Sequence, residues 1–152
     1  MTERLEIERR LTLPPARCFA LWADPAALAA WWEPRDESGT PFRAEVLEWR
    51  AEPGAPWKIR MLAPDGTEFL QGGRMVEVAA PHLIRFTFAW IEDGRAGPET
   101  EITVRFDADG TGTRLSFVQS GFDDAASRDG HAEGWAECLD RFVAAVRDGH
   151  AA

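Results

Sequence analysis

The sequence predicts an α+β domain in which a seven-stranded antiparallel sheet wraps around one long C-terminal helix. Two observations carry this prediction. Between residues 43 and 119, apolar residues alternate with polar ones in short runs that are separated by turn signals, which is typical of consecutive antiparallel strands. The last part of the chain repeats its apolar residues with the period of a helix instead. We expect residues 1–152 to form a single domain, because 152 residues match the usual length of one.

The N-terminal region predicts one strand followed by two short helices. Apolar and charged residues alternate over residues 5–11, which indicates a half-buried strand. A pair of prolines ends this strand, and residues 16–22 then show helical spacing. Asp24 followed by Pro25 is typical of a helix N-cap and the first helical position. Pro34 ends this second helix, because proline disfavours helical backbone at the residue before it.

Six further strands are expected, joined by turns into an antiparallel meander. Asp65-Gly66 is a strong hairpin signal, Asp109-Gly110 indicates another turn, and residues 94–98 predict a loose turn. Gly72 and Gly73 lie inside a strand pattern and predict a bulge at which the sheet curves around the helix. The expected strands span residues 43–50, 57–62, 67–78, 83–90, 99–106 and 113–119.

The C-terminal region predicts an amphipathic helix of about four to five turns, which Gly149 is expected to end. This helix is the only predicted element long enough to cover the apolar face of the sheet. We therefore expect a cavity between the helix and the sheet, closed at one end by the two short helices. The apolar stripe of the helix consists of Trp135, Cys138, Leu139, Phe142 and Val146.

The charge balance argues against several classes of partner. The chain has 17 basic and 26 acidic residues and a net charge of −9, which repels nucleic-acid phosphates and anionic membrane surfaces. The N-terminal residues carry charges throughout and lack the apolar core of a signal peptide, and no apolar run approaches the length of a membrane span. We therefore expect a cytoplasmic protein that binds neither nucleic acid nor membrane.

The residue types that usually carry catalysis are scattered along the chain. His82, His131 and His150 show no metal-ligand spacing. His131 could act as a general base if it reached the cavity, but its expected role is to anchor the start of the long helix. Cys18 and Cys138 lie on apolar helix stripes and are expected to be buried, inert thiols. We predict no metal, no cofactor and no catalytic residue.

Aromatic residues are the strongest functional signal in the sequence. The chain contains seven Trp and nine Phe but no Tyr, which supplies bulky apolar surface with few hydroxyl groups. Pockets for small molecules are predominantly apolar and aromatic, so we expect part of this set to line the cavity. The candidate ligand-binding residues are Trp31, Trp32, Trp57, Phe86, Phe88, Trp90, Trp135 and Leu139.

A series of short motifs runs through the chain. In order, they are Leu13-Pro-Pro-Ala16, Asp24-Pro25, Trp31-Trp32-Glu-Pro34, Gly73–Val78, Pro81–Trp90, Gly112–Leu115, and Gly121-Phe122 followed by His131–Trp135. Together with the order of elements, these motifs resemble the START/SRPBCC superfamily and, within it, the homologues of the heat-shock-protein-ninety ATPase activator. The resemblance covers residues 5–147. It implies the helix-grip fold, whereas it implies function only loosely.

The chain departs from this family in two respects. Where the family often has a glycine pair and a Trp leading into the third strand, this chain has Pro53-Gly-Ala-Pro-Trp57. The eukaryotic activator also carries a separate N-terminal domain that grips the chaperone. Residues 1–152 are not expected to hold a counterpart of that domain, which counts against a chaperone partner.

These observations together lead us to expect a small-molecule binding protein that holds an apolar or aromatic ligand between the sheet and the C-terminal helix. One alternative is a chaperone-linked, ATPase-activator-like interaction module in the stress response, which would show an extended exposed apolar patch. A second is a polyketide-cyclase-like enzyme, which would need polar residues such as Arg105, Gln119 or His131 inside the cavity. A monomer and a homodimer are both compatible with the sequence.

Overall fold

The computed structural model describes residues 3–35 and 38–148, and its elements follow the predicted order of a strand, two short helices, a run of strands and a long helix. The strands are β1 (Glu3–Leu11), β2 (Arg43–Glu48), β3 (Pro56–Leu62), β4 (Glu68–Ala79), β5 (Leu83–Glu92), β6 (Arg95–Ala96), β7 (Thr100–Asp109) and β8 (Gly112–Phe122). The helices are α1 (Pro15–Ala23), α2 (Pro25–Trp31) and α3 (Ala125–Arg147).

The strands pair in the order β1-β8-β7-β5-β4-β3-β2, and each of these pairings is antiparallel. The predicted seven-stranded antiparallel sheet is therefore confirmed. The first strand of the chain, β1, pairs with the last strand, β8. With α3 lying across its apolar face, this sheet has the helix-grip architecture.

A short eighth strand, β6, pairs with the end of β5 where the sequence predicted a loose turn. Asp93 and Gly94 both adopt positive φ, at 51° and 75°. Positive φ at two consecutive turn residues is the requirement of a type I′ hairpin, for which Asp-Gly is a preferred pair. The loose-turn prediction was wrong because this second hairpin signal was not recognised in the sequence.

The two short helices close one end of the sheet as predicted. The Asp24 carboxylate accepts a hydrogen bond from the backbone N–H of Ala26 at 3.0 Å, and Pro25 is the first residue of α2. At the other end of α2, the backbone N–H of Trp32 donates to the carbonyl of Leu28 at 3.1 Å. The cap and the prolines therefore place these helices at the residues that the sequence indicated.

Helix α3 has 23 residues and is about two turns longer than the sequence predicted. It begins at Ala125, where the Asp124 carboxylate accepts a hydrogen bond from the backbone N–H of Ser127 at 2.7 Å. Its first turns carry small and polar residues, so they leave no apolar periodicity in the sequence. The predicted stop at Gly149 lies outside the described residues. In the parts of the chain that the structure describes, no helix is long and apolar enough to cross a membrane.

Gly73 marks a close approach between β4 and β5 rather than the predicted bulge. A Cβ atom at this position would collide with the backbone carbonyl of Thr87. That carbonyl instead accepts a hydrogen bond from the indole N–H of Trp57 at 2.7 Å. The register shift of the β4–β5 ladder falls later, between Met75 and Glu77. The bulge was predicted at the wrong residues because a glycine inside a strand marks either feature.

The core lies between the concave face of the sheet and the C-terminal half of α3. All five residues of the predicted helix stripe are buried, with Leu139 and Phe142 fully inaccessible to solvent. Side chains from α1 and α2 complete the core at the closed end. Its largest fully buried side chains are Trp22, Trp31, Trp32, Trp57, Phe86, Phe106, Phe117 and Phe142.

Leu139→Ala tests this packing. Because Leu139 is fully buried, its truncation should lower the free energy of unfolding by about 2–5 kcal/mol. Denaturant melts measure the change, and Glu133→Ala is the matched control at an exposed position of the same helix, with an expected effect within about 0.5 kcal/mol. A loss at Leu139 no larger than that of the control would contradict the assigned packing of α3.

Candidate functional site

A cleft of about 480 Å³ opens between the N-terminal half of α3, the segment that follows α2, and the adjoining parts of β3, β4 and β5. Its rim includes exposed or half-exposed side chains such as Phe42 and Phe69, whose ring centroids lie 5.9 Å apart. Its floor consists of buried side chains. These floor residues are Trp32, Met61, Gln71, Phe88, Trp135 and Cys138.

Small residues on α3 leave the space of the cleft unfilled. Ala126, Gly130, Gly134 and Cys138 follow one another at intervals of four and all line the cleft, because residues four apart share one face of a helix. A Cβ atom added to Gly130 would meet no other atom within 4 Å. Phe88 and Trp90 pack against His131 of α3, whereas the glycine positions of the helix contribute no side chain to fill the remaining space.

Four of the eight residues predicted to bind a ligand line the cleft, and four do not. The lining residues are Trp32, Phe88, Trp90 and Trp135. Trp31, Trp57, Phe86 and Leu139 are buried in the core beneath or beyond it.

The position of Trp31 illustrates why the second group lies elsewhere. Its ring turns away from the cleft and packs on Trp22 and Phe142, with centroid distances of 4.6 and 5.0 Å. Alternation and helical period assign a side chain to a face of its own element. They do not distinguish a side chain that borders open space from one that packs under its neighbours.

Four further residues line the cleft that were not among the predicted site residues: Phe42, Met61, Phe69 and Gln71. The sequence contained a signal for Met61 and for Gln71. Met61 continues the inward alternation of β3 and lies opposite Phe69 in the predicted hairpin, and Gln71 lies two residues farther along β4 on the same face. Gln71 is absent from the predicted ligand-binding set because that set contains only apolar and aromatic residues, and polar residues were considered only for the cyclase-like alternative.

Each tryptophan of the cleft donates its indole N–H to a protein acceptor. Trp32 donates to Gln71 Oε1 at 3.2 Å, and Trp90 donates to His131 Nε2 at 3.1 Å. Trp135 donates to Gln119 Oε1 at 2.8 Å. These hydrogen bonds hold the three rings in fixed orientations, because a buried N–H without a partner costs free energy.

Gln71 and Gln119 differ in how fully their amides are used. The amide nitrogen of Gln119 donates to Thr100 Oγ1 at 2.9 Å, so both ends of that side chain are engaged. The orientation of Gln71 is set by Trp32, because an indole N–H can only donate and must face the amide oxygen. Among the described residues, no acceptor takes a hydrogen bond from the amide nitrogen of Gln71, although the side chain is only 2% exposed.

His131 is held as a neutral imidazole at the cleft wall. Its Nε2 accepts from Trp90, so the proton resides on Nδ1, which lies 2.9 Å from the carbonyl oxygen of Ser127 and donates to it. Burial lowers the pKa of His131, opposed in part by the hydrogen bond to Ser127. Both ring nitrogens are thus engaged, and neither is available as a general base in this arrangement.

The remaining polar candidates lie away from the cleft or are inert. Arg105 is exposed and does not line the cleft. Cys18 and Cys138 are buried as predicted, and burial raises the pKa of both thiols. Within residues 3–35 and 38–148, no cluster of three or more His, Cys, Asp or Glu residues is placed to hold a metal ion.

One ion pair and one hydrogen bond connect the segment after α2 to α3 beside the cleft. The Arg141 guanidinium donates to the Glu33 carboxylate at 2.8 Å, and the backbone N–H of Arg35 donates to the carboxylate of Glu137. The side chain of Arg35 in turn donates to the carbonyl of Gly39 at 2.7 Å. Glu33 therefore joins this wall of the cleft to the long helix.

Comparison with known structures shows the same fold in proteins from several bacteria. A protein from Chromobacterium violaceum is 31% identical, with a TM-score of 0.82 over 94% of this chain and 96% of that one. The AHSA1 protein of Silicibacter pomeroyi is 24% identical, with a TM-score of 0.86 over 97% of this chain and all of that one. A protein from Mycobacterium smegmatis is 21% identical, with a TM-score of 0.79 over 99% of this chain and 98% of that one.

None of the proteins of curated function matches this chain. The family described as activator of Hsp90 ATPase homolog 1-like protein matches residues 12–147, which is most of the chain. The match confirms the resemblance that the motifs indicated. Given this match and the helix-grip fold, the chain belongs to the activator of Hsp90 ATPase homolog 1-like family, within the START/SRPBCC superfamily.

Proposed function

We propose that this protein binds a small apolar, aromatic molecule in the cleft between the sheet and α3. The observation that carries the proposal is the combination of a buried aromatic floor with a helix wall from which side chains are missing. The cleft volume of about 480 Å³ lies within the range of about 300–1,000 Å³ that is usual for small-molecule sites. An aromatic ligand of two or three rings matches this space.

The geometry of the walls favours a flat ligand. Phe88 and Trp90 meet edge to face, with centroids 5.4 Å apart and planes at 88°. A ligand beside them therefore meets the edge of one ring and the face of the other. Aromatic rings prefer offset and edge-to-face contacts with one another. A planar ligand can make both kinds of contact here. The hydrogen bonds of Trp32, Trp90 and Trp135 keep the walls in place when the cleft is empty.

Binding accounts for the site better than catalysis does. A general acid or base must reach the substrate with a free proton-accepting or proton-donating atom. The imidazole of His131 has both nitrogens engaged, and burial raises the pKa of the Cys138 thiol. Gln119, which a cyclase-like reaction was expected to use, is enclosed between Trp135 and Thr100.

An activator-like interaction module is the second candidate, and the family match over residues 12–147 favours it. Such a module was expected to present an extended exposed apolar patch. The large apolar side chains that are exposed among the described residues are Leu47, Phe69 and Val76. Leu47 and Phe69 line one surface groove, whereas Val76 lies seven residues from Phe69 on β4 and does not line that groove.

Filling the cleft from α3 tests the proposal. Gly130→Leu places a side chain in the open space beside the aromatic floor, so the affinity for the neutral fluorescent probe N-phenyl-1-naphthylamine should fall at least about tenfold. The matched control, Gly130→Ala, adds one methyl group and should retain most of the affinity. Titrations that follow probe fluorescence measure both.

The free energy of unfolding of each Gly130 variant distinguishes a loss of binding from a loss of folding. Both substitutions replace a helical glycine and should leave the free energy of unfolding unchanged or raise it by about 0.5–1 kcal/mol. A probe that binds wild type and Gly130→Leu equally well lies elsewhere on the protein. That result would contradict the proposal, as would the absence of any binding to folded wild-type protein.

The neutral state of His131 predicts a pH dependence of stability. Because burial lowers the pKa of His131 in the folded protein, the unfolded chain takes up its proton first as the pH falls below about 6.5. The contribution of His131 is therefore present above that pH and is lost as the pH falls towards its lowered folded-state pKa.

The measurement compares urea melts of wild type and His131→Asn at about pH 7.5 and about pH 5.5. Wild type should lose more stability than the variant over this interval, and the difference isolates His131 from the other titrating groups. In wild type, NMR titration of the His131 ring should give a pKa below the ordinary value. An equal loss in both proteins would show that burial does not lower the pKa of His131 in the folded protein.

A further inference from the structure

We infer that the ligand carries a neutral carbonyl oxygen, which accepts a hydrogen bond from the side-chain amide of Gln71 at the floor of the cleft. The inference rests on the proposed binding function and goes further, because it names the chemical group that the site recognises. The group belongs to aromatic ketones, aldehydes, esters and amides.

The position of Gln71 makes its amide a recognition group. The side chain lies on the inner face of β4, level with Ile59 on β3 and Trp90 on β5, and is only 2% exposed. A buried amide group without a partner costs free energy. The hydrogen bond from Trp32 uses its oxygen, whereas its nitrogen has two N–H groups that find no acceptor among the described residues. This nitrogen is not among the side-chain polar atoms that are fully enclosed without a partner. Because Gln71 lines the cleft, the nitrogen can be reached from there.

The indole, imidazole and thiol donors of the cleft are already engaged, the Cys138 thiol with the backbone of Glu33. The indole N–H groups of Trp32, Trp90 and Trp135 each donate to a side chain of the protein. The N–H of His131 donates to a backbone carbonyl. A ligand oxygen that reaches the floor of the cleft therefore finds its donor at Gln71.

The charges around the cleft favour a neutral oxygen over a carboxylate. Glu133 and Glu137 line the same cleft, and the chain carries a net charge of −9. Arg35 is the cation among the described lining residues, and it lies exposed at the rim with its guanidinium donating to Gly39. A carboxylate at Gln71 would be buried away from any cation, which is strongly unfavourable.

Two ligands that differ in a single group test the inference. In 2-acetylnaphthalene a carbonyl oxygen occupies the place of the terminal CH₂ of 2-isopropenylnaphthalene, and the two molecules have nearly the same shape. Their dissociation constants are measured on wild-type protein by displacement of N-phenyl-1-naphthylamine. The ketone should bind roughly tenfold more tightly than the alkene, as one hydrogen bond to a donor that is otherwise unsatisfied allows.

Matched glutamine variants then locate the preference. Gln71→Met removes the donor at similar size and should abolish the preference for the ketone while the alkene still binds. Gln119→Met makes the same change at a buried glutamine that does not line the cleft. Like Gln71→Met, it removes the acceptor of a tryptophan N–H, so it controls for that effect. The preference for the ketone should persist in that variant. Its loss there would show that the preference does not come from Gln71.

The outcomes distinguish this inference from the proposed function. Equal binding of ketone and alkene to wild type would overturn the inference and leave the binding function standing. Tighter binding of 2-naphthoate than of the ketone would contradict the inference that the ligand oxygen at Gln71 belongs to a neutral carbonyl group. If neither ligand nor the probe binds folded wild-type protein, both proposals fail.

NMR provides a second measurement should Gln71→Met not fold. In wild-type protein, the side-chain NH₂ resonances of Gln71 should shift when the ketone is added and remain nearly unchanged with the alkene. The side-chain resonances of Gln119 serve as the internal reference. Equal shifts of the Gln71 resonances with both ligands would overturn the inference.

Discussion

Hydrogen bonds from three indole N–H groups shape the functional part of this protein. Three tryptophans from three different elements meet around the cleft, and each donates to a polar side chain placed for it: Trp32 to Gln71, Trp90 to His131 and Trp135 to Gln119. An unsatisfied buried donor costs about 1–3 kcal/mol. These three pairs therefore connect the segment after α2, the sheet and α3 around the cleft.

The two halves of α3 have different roles: the C-terminal half stabilises the fold, and the N-terminal half lines the cleft. Its C-terminal half provides the apolar stripe that fills the core, with Leu139 and Phe142 fully buried. Its N-terminal half presents Gly130 and Gly134 to the cleft, although each glycine costs about 1 kcal/mol of helix stability relative to alanine. The Asp124 cap and the packing of the C-terminal half keep the weaker half helical. The open space thus depends on a core several turns away.

The polar side chains inside this apolar region have distinct roles. Gln119 is enclosed between Trp135 and Thr100 and serves the structure alone. Gln71 supports Trp32 with one end of its amide and offers the other to the cleft. His131 supports Trp90 only while it is neutral, which makes the orientation of that wall sensitive to protonation. The family to which the chain belongs defines the fold, whereas these few side chains define what the cleft can recognise.

By itself, the sequence determined most of the fold. Period-two alternation, turn dipeptides, the Asp24 cap and the helical stripe each depend on residues close together in the chain, and the family motifs confirmed their order. Local signals failed where the signal was weak or ambiguous. The first turns of α3 have no apolar period. Residues 94–98 were predicted as a loose turn, although Asp93-Gly94 forms a tight hairpin turn, and Gly73 marks a close approach to Thr87 instead of a bulge.

The make-up of the cleft was decided only by the tertiary structure. Periodicity shows towards which face a side chain points, so it selected Trp31 and Trp57 together with Trp32 and Trp90. Whether a side chain then borders open space depends on what faces it from another element. Gly130 on α3 lines the same cleft as Phe88 and Trp90 without a side chain to fill it. The indole of Trp32 donates to the amide oxygen of Gln71, which lies 39 residues away in the chain. Such pairings arise from strand register and helix packing, which no local pattern in the sequence contains.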